Sequence, residues 1–150
     1  MRPGVAELKG VQSQRCLQVA GANQDSLADG AGTELWDCAG SGQRWPKERW
    51  TLVGLADNHY TIKNVNSGLC LDIEGGQATD GATVVQARCQ PGPSQRWAFF
   101  PGGNDAMKVV NALTGGVLTA ANAGTANGSP IQQFADGNGD EQQWLVNPLP

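Results

Sequence analysis

Short runs of alternating apolar and polar residues, separated by clusters of Gly, Asn and Ser, fill the chain. Residues 60–72, YTIKNVNSGLCLD, show the pattern most clearly. Tyr60, Ile62 and Val65 carry the apolar weight before the turn cluster Asn66-Ser67-Gly68; Leu69, Leu71 and Ile73 alternate after it. Alternation on both sides of such a cluster predicts a β-hairpin. The layout recurs. Trp50, Trp97 and Trp144 stand 47 residues apart, and each opens a short strand-like run: WTLV, WAFF and WLVN. Asn64 and Asn111 keep the same 47-residue interval, so the third unit repeats the second without a gap.

Each unit predicts four strands. They fall near residues 6–11, 15–20, 33–38 and 49–53 in the first unit, and near 60–65, 68–74, 83–89 and 96–100 in the second. In the third they fall near 107–112, 116–121, 130–135 and 143–147. No segment sustains a helical period. The expectation is an all-β, closed, pseudo-threefold barrel, because closure removes exposed strand edges, whereas a propeller usually has four or more blades. One domain over 1–150 is expected, with repeats at about 6–55, 59–102 and 106–148. The first repeat is looser, with insertions expected in 23–32 and 42–47. Trp45 and Trp50 therefore compete as the counterpart of Trp97. Trp50 keeps the interval and precedes Leu52 and Val53, while Trp45 precedes Pro46, a poor strand residue. Trp45 then becomes an extra aromatic in an inserted loop.

Composition narrows the picture. With 150 residues, 39% hydrophobic and 16% charged, the chain has enough apolar content to fold. Its 21 glycines suit a turn-rich β protein. A net charge of −4 argues against nucleic acid or an anionic membrane as partner, since both call for a basic footprint. No apolar run approaches the roughly 18 residues of a membrane span. Met1 is followed by RPGVAE, which lacks the charged-then-apolar pattern of a signal peptide; a segment excised from a longer parent is expected. Cys16, Cys38, Cys70 and Cys89 form no C-x-x-C pair, and two fall in each of the first two repeats. Two intra-repeat disulfides and an oxidising compartment are the simplest reading; four reduced buried thiols are the alternative.

The second repeat, I-x-N-x-x-S-G-x-C-L-D followed by V-Q-x-x-x-C and Q-R-W, resembles the ricin B-chain-like lectin family. That family includes the family-thirteen carbohydrate-binding modules of bacterial secreted glycosidases. The tripeptides Gln95-Arg96-Trp97 and Gln142-Gln143-Trp144 match its Q-x-W signature. The resemblance covers about residues 6–148 and implies a β-trefoil fold, a non-catalytic domain and a secreted parent.

The resemblance also implies one shallow sugar pocket per repeat. Its parts are an Asp after C-L, an aromatic two residues before the second Cys, a polar residue two before that aromatic, and an Asn-Gln pair opening the Q-x-W. A sugar presents hydroxyls and an apolar face, so a site needs hydrogen-bonding side chains and a ring. The first repeat offers Gln18 in place of Asp, with Glu34 and Trp36; Lys47-Glu48 replaces the Asn-Gln pair, and Gln14 replaces the turn glycine. The second keeps Asp72 and Gln95 but has Ala87 at the aromatic position, Val85 at the polar one and Ser94 for Asn. The third has Gln132, Phe134 and Gln142, with Thr119 for Asp and Glu141 for Asn; Val117 and Asp136 stand at its cysteine positions. No repeat keeps the whole constellation. Expected ligand-binding residues are thus Gln18, Glu34, Trp36, Asp72, Gln95, Gln132, Phe134 and Gln142, with carbohydrate of galactose or xylose type as partner. Trp36 and Phe134 mark the favoured places. No cofactor, nucleic acid or membrane insertion is expected; the domain is expected to be covalently linked to another. A trefoil with decayed sugar sites, serving protein interaction or structure, is the alternative.

Three further signals lead elsewhere. Asp136-Gly-Asn138-Gly-Asp140 begins like a calcium loop but has Glu141 at the sixth place and Asn147 at the twelfth, so it reads as an acidic turn. His59 is the single histidine and has no nearby nucleophile in sequence. Asn127-Gly-Ser129 is a formal glycosylation sequon, set aside because Pro130 follows and the origin reads as bacterial.

Overall fold

The computed structural model describes residues 3–21, 26–39 and 46–149. Within them lie the strands β1 (Gly4–Gly10), β2 (Cys16–Val19), β3 (Thr33–Trp36) and β4 (Trp50–Gly54) of the first repeat. The second contributes β5 (His59–Asn64), β6 (Cys70–Ile73), β7 (Val84–Ala87) and β8 (Trp97–Pro101). The third contributes β9 (Met107–Asn111), β10 (Val117–Ala120), β11 (Ile131–Phe134) and β12 (Trp144–Pro148). Each predicted strand is present, one or two residues displaced or shortened. Trp45 lies outside the described residues, as does part of both expected insertions.

The first and fourth strands of each repeat make a closed antiparallel ring. β1 pairs with β4, β4 with β5, β5 with β8, β8 with β9, β9 with β12, and β12 returns to β1. The second and third strands form the hairpins β2–β3, β6–β7 and β10–β11. These hairpins bond to one another in a cycle. Gly30 N donates to Gln86 O at 2.7 Å, Gly81 N to Gln133 O at 2.8 Å, and Gly128 N to Leu35 O at 2.8 Å. A six-stranded barrel capped by three hairpins is the β-trefoil.

The local sequence explains the hairpins. Asn64 Oδ1 accepts from Asn66 N at 3.0 Å and Ser67 N at 3.1 Å, an Asx-type clamp on the turn that joins β5 to β6. Its Nδ2 reaches Lys47 O at 3.1 Å, fastening the turn to the preceding repeat. Asn111 repeats these bonds with Leu113 N, Thr114 N and Ser94 O. The turn then needs a left-handed residue, supplied by Gly68 (φ 75°) and Gly115 (φ 73°). In the first repeat Gln14 takes that conformation at φ 58°, which costs a non-glycine residue about 1 kcal/mol.

The three tryptophans that open β4, β8 and β12 are fully buried at the heart of the core with Leu8, Leu17, Leu35, Ile62, Leu71, Leu118 and Ile131. Trp50 Nε1 donates to Leu17 O, Trp97 Nε1 to Leu71 O and Trp144 Nε1 to Leu118 O, each at 3.0 Å. Trp50 is thereby the counterpart of Trp97. Disulfides join Cys16 to Cys38 and Cys70 to Cys89, the intra-repeat pairs expected. In the third repeat Lys108 Nζ donates to Asp136 Oδ2 at 2.8 Å and also bonds to Asn138, so an ammonium group holds the loop that resembled a calcium site.

Replacing Trp144 by Phe removes a buried donor from Leu118 O and leaves a cavity. A loss of about 2–4 kcal/mol in urea unfolding is expected; an unchanged midpoint at the same slope would show that the indole bond contributes nothing.

Candidate functional site

In every repeat the hairpin brings the candidate positions to one side. Directly opposed residues of an antiparallel pair share a face. In the first repeat Gln18 faces Glu34 and Cys16 faces Trp36. In the second Asp72 faces Val85 and Cys70 faces Ala87. In the third Thr119 faces Gln132 and Val117 faces Phe134.

In the second and third repeats the glutamine two residues before the core tryptophan lies under this surface. Gln95 Oε1 accepts from Gln90 N at 3.0 Å, while its Nε2 donates to Arg88 O at 2.9 Å and to Asp72 Oδ2 at 3.1 Å. Gln142 Oε1 accepts from Gly137 N at 2.8 Å, while its Nε2 donates to Ala135 O at 2.9 Å and to Thr119 Oγ1 at 3.2 Å. The two amides do the same work: they tie the loop after the third strand to the residue after the core leucine. Gln18, Gln95 and Gln142 are only 2%, 3% and 4% exposed, so each presents little of its side chain to solvent.

The third repeat has a cleft of about 360 Å³, lined by Thr119, Asn122, Phe134, Gly137, Glu141 and Gln142 among others. Phe134 is partly buried and forms an apolar wall. Thr119 Oγ1 donates to Val117 O at 2.7 Å, so its proton is already used. Asn122, exposed in a left-handed turn after β10 (φ 55°), and Glu141 supply the free polar groups. Gln132 lies opposite Thr119 but outside the cleft lining. Asn122 escaped the sequence reading. The signal was its register with Gly75, itself left-handed at φ 63°, which marks the position as a turn at the edge of the site.

The second repeat keeps the Asp72–Gln95 bond and has no ring. Asp72 Oδ1 also accepts from Ile73 N at 2.7 Å. The first repeat has the most exposed ring of the three positions: Trp36 is 38% exposed and follows Glu34 by two residues on the same face. Glu34 Oε2 accepts from Gln18 Nε2 at 2.7 Å. Glu48, two residues before Trp50, is 3% exposed and accepts from Ala39 N through Oε1 at 2.8 Å. Burial pushes its carboxyl up from the ordinary 4.5 to about 7; the neighbouring Glu7 and Asp37 carboxylates add to this, and the Ala39 N–H and Lys47 oppose it. His59 Nδ1 lies 2.9 Å from the backbone oxygen of Asp57.

A threefold barrel capped by three hairpins, two of which carry a ring beside polar groups at equivalent places, defines a lectin-like β-trefoil. The chain belongs to the family described as ricin-type β-trefoil lectin domain-like, whose profile it matches over residues 1–87, 46–134 and 93–150. It is 29% identical to Nigrin b of Sambucus nigra over 151 aligned positions, covering 100% of this chain and 23% of that protein. Among solved structures it is similar to the designed 3-fold symmetric protein ThreeFoil, with 31% identity, a TM-score of 0.89 and coverage of 97% and 99% of the two chains. It also resembles part of 1,3Gal43A, an exo-β-1,3-galactanase from Clostridium thermocellum, with 24% identity, a TM-score of 0.87 and coverage of 97% and 30%.

The raised Glu48 carboxyl has a defined sign. The folded state holds this proton more tightly than the unfolded chain, so its contribution is full below pH 4.5, declines towards pH 7 and is lost above it. A stability loss on the order of 3 kcal/mol across that window is expected for the wild type. Glu48→Gln should flatten that part of the profile in urea unfolding from pH 4 to 8; equal slopes in both proteins would assign the pH dependence to other groups.

Proposed function

We propose that the protein binds carbohydrate without catalysing its conversion, with the third-repeat cleft as principal site. The observation that carries this reading is the cleft itself: Phe134 walls one side, and Asn122 and Glu141 project polar groups beside it. The ring would take the apolar face of a pyranose. The Asn122 amide both donates and accepts, and the Glu141 carboxylate accepts from hydroxyls. Thr119 and Gln142 hold the floor. Membership of a lectin-like family fits this chemistry. A galactose- or xylose-type glycan is the favoured ligand class. Trp36 with Glu34 in the first repeat forms a second platform, and two weak sites on one polymer reinforce each other through effective concentration.

The two disulfides suit an oxidising, extracellular setting. The domain would then serve as the targeting part of a larger secreted, bacterial protein. The second repeat favours a different use. With Val85 opposite Asp72 and Ala87 at the ring position opposite Cys70, it offers no stacking surface, and its face suits a structural or protein-contact role.

Affinity electrophoresis on galactan and xylan, with a glycan array, tests the proposal. Retardation by at least one glycan is expected, and Phe134→Ala should weaken it about tenfold, equivalent to ~1.4 kcal/mol, with an unchanged fold by circular dichroism. No retention on any glycan would end the carbohydrate reading.

A further inference from the structure

Glu48 occupies the place of Gln95 and Gln142, and Gln18 that of Asp72 and Thr119. The first repeat has exchanged the two chemistries. Its amide sits after the core leucine and its carboxyl sits before the core tryptophan. Glu48 Oε1 keeps the usual partner, accepting from Ala39 N, the residue after the second cysteine, as Gln95 Oε1 accepts from Gln90 N. Glu48 Oε2 therefore falls where the other repeats have an amide nitrogen that donates to residue 72 or 119. An ionised carboxylate has no hydrogen to give. Gln18 meanwhile donates Nε2 to Glu34. Among the described residues, Gln18 Oε1 and Glu48 Oε2 are the two buried side-chain polar atoms without a partner. Two orphaned acceptors whose counterparts bond to each other in both other repeats call for one proton between them.

We propose that Glu48 is a positioning residue that carries this proton: Oε2–H donates to Gln18 Oε1, Gln18 Nε2 donates to Glu34 Oε2, and Glu34 is held beside Trp36 as the polar edge of a glycan site in the first repeat. This rests on the carbohydrate reading above. When Glu48 releases its proton to solvent, its carboxylate repels Gln18 Oε1. The amide turns to give its N–H to Glu48, its oxygen then faces the Glu34 carboxylate, and Glu34 loses its donor. The first site is organised on the acid side of neutrality and loosened on the alkaline side. The charged groups around Glu48 are Lys47 on its own turn, Glu7 on β1 and Asp37 after β3. Glu34 acts on it through Gln18, and β5 reaches the same turn through the non-titrating Asn64. Burial resists ionisation, in agreement with this assignment.

The test uses the intact protein in two readouts. Carbon-13 carboxyl NMR of the wild type should show Glu48 titrating near neutrality, with the Gln18 side-chain amide signals moving in step. A Glu48 carboxyl titrating at its ordinary value, or a Gln18 amide that ignores it, overturns the relay. Binding is read with galactan and xylan oligosaccharides in a Phe134→Ala background, which leaves the first repeat as the remaining ring site. Affinity should fall about tenfold between pH 6 and 8.5. Adding Glu48→Gln, which supplies a permanent N–H donor, should keep the acid-side affinity at both values. A fall of the same size in that variant overturns the positioning role. Absence of glycan binding at either pH in that background overturns the first-repeat site; glycan retention by the wild type decides the carbohydrate reading, and the NMR titration decides the proton relay separately.

Discussion

The hydrogen bond from each buried indole to a leucine carbonyl is the interaction on which the rest of the molecule depends. It joins the barrel to the hairpin cap inside the buried core, where an unpaired Trp Nε1–H or Leu carbonyl would be costly. It also dictates where the surface chemistry goes. With Trp97 bonded to Leu71 O, the side chain two residues earlier, Gln95, meets the residue after the leucine, Asp72. The same geometry joins Gln142 to Thr119. A core constraint thus fixes the floor of the second and third candidate sites, and the rim varies from repeat to repeat.

The rim is where the three repeats diverge. The first carries an exposed tryptophan beside a carboxylate, the second a carboxylate without a ring, and the third a phenylalanine at a defined cleft. The third repeat has also exchanged a covalent loop anchor for a polar one. Lys108 holds Asp136 where Cys38 and Cys89 form disulfides. A partly exposed ion pair of this kind contributes little and is screened by salt. The loop bordering the cleft is instead held mainly by the buried amide of Gln142 through Gly137 N and Ala135 O.

The fold was legible in the sequence because its signal is repeated. One tryptophan is weak information, whereas three at a constant interval, each followed by an apolar run, report a barrel that must close on itself. The cysteine pairs were legible for the same reason. The sites were less so. Gln18, Gln95 and Gln142 align with ligand positions, yet alignment does not tell a residue that meets the solvent from one just beneath it, and all three are buried. Glu48 looked like a decayed motif. Its meaning needs Gln18, a partner on another strand, to be recognised as the other half of an exchange. Asn122 is set by a backbone conformation rather than a side-chain pattern, so only its register with Gly75 betrayed it.

The pairing of the first strand with the last has a kinetic side. β1 aligns with β12 from Ala6↔Pro148 to Gly10↔Trp144, so the barrel closes only when the most distant parts of the chain meet. That gives the topology a high contact order, for which folding in milliseconds to seconds is typical. It also makes the natural break in the ring equivalent, by pseudosymmetry, to the connections between repeats. A chain opened at either connection, with its original ends joined, would still specify the same ring while changing which pairing must form across the greatest distance.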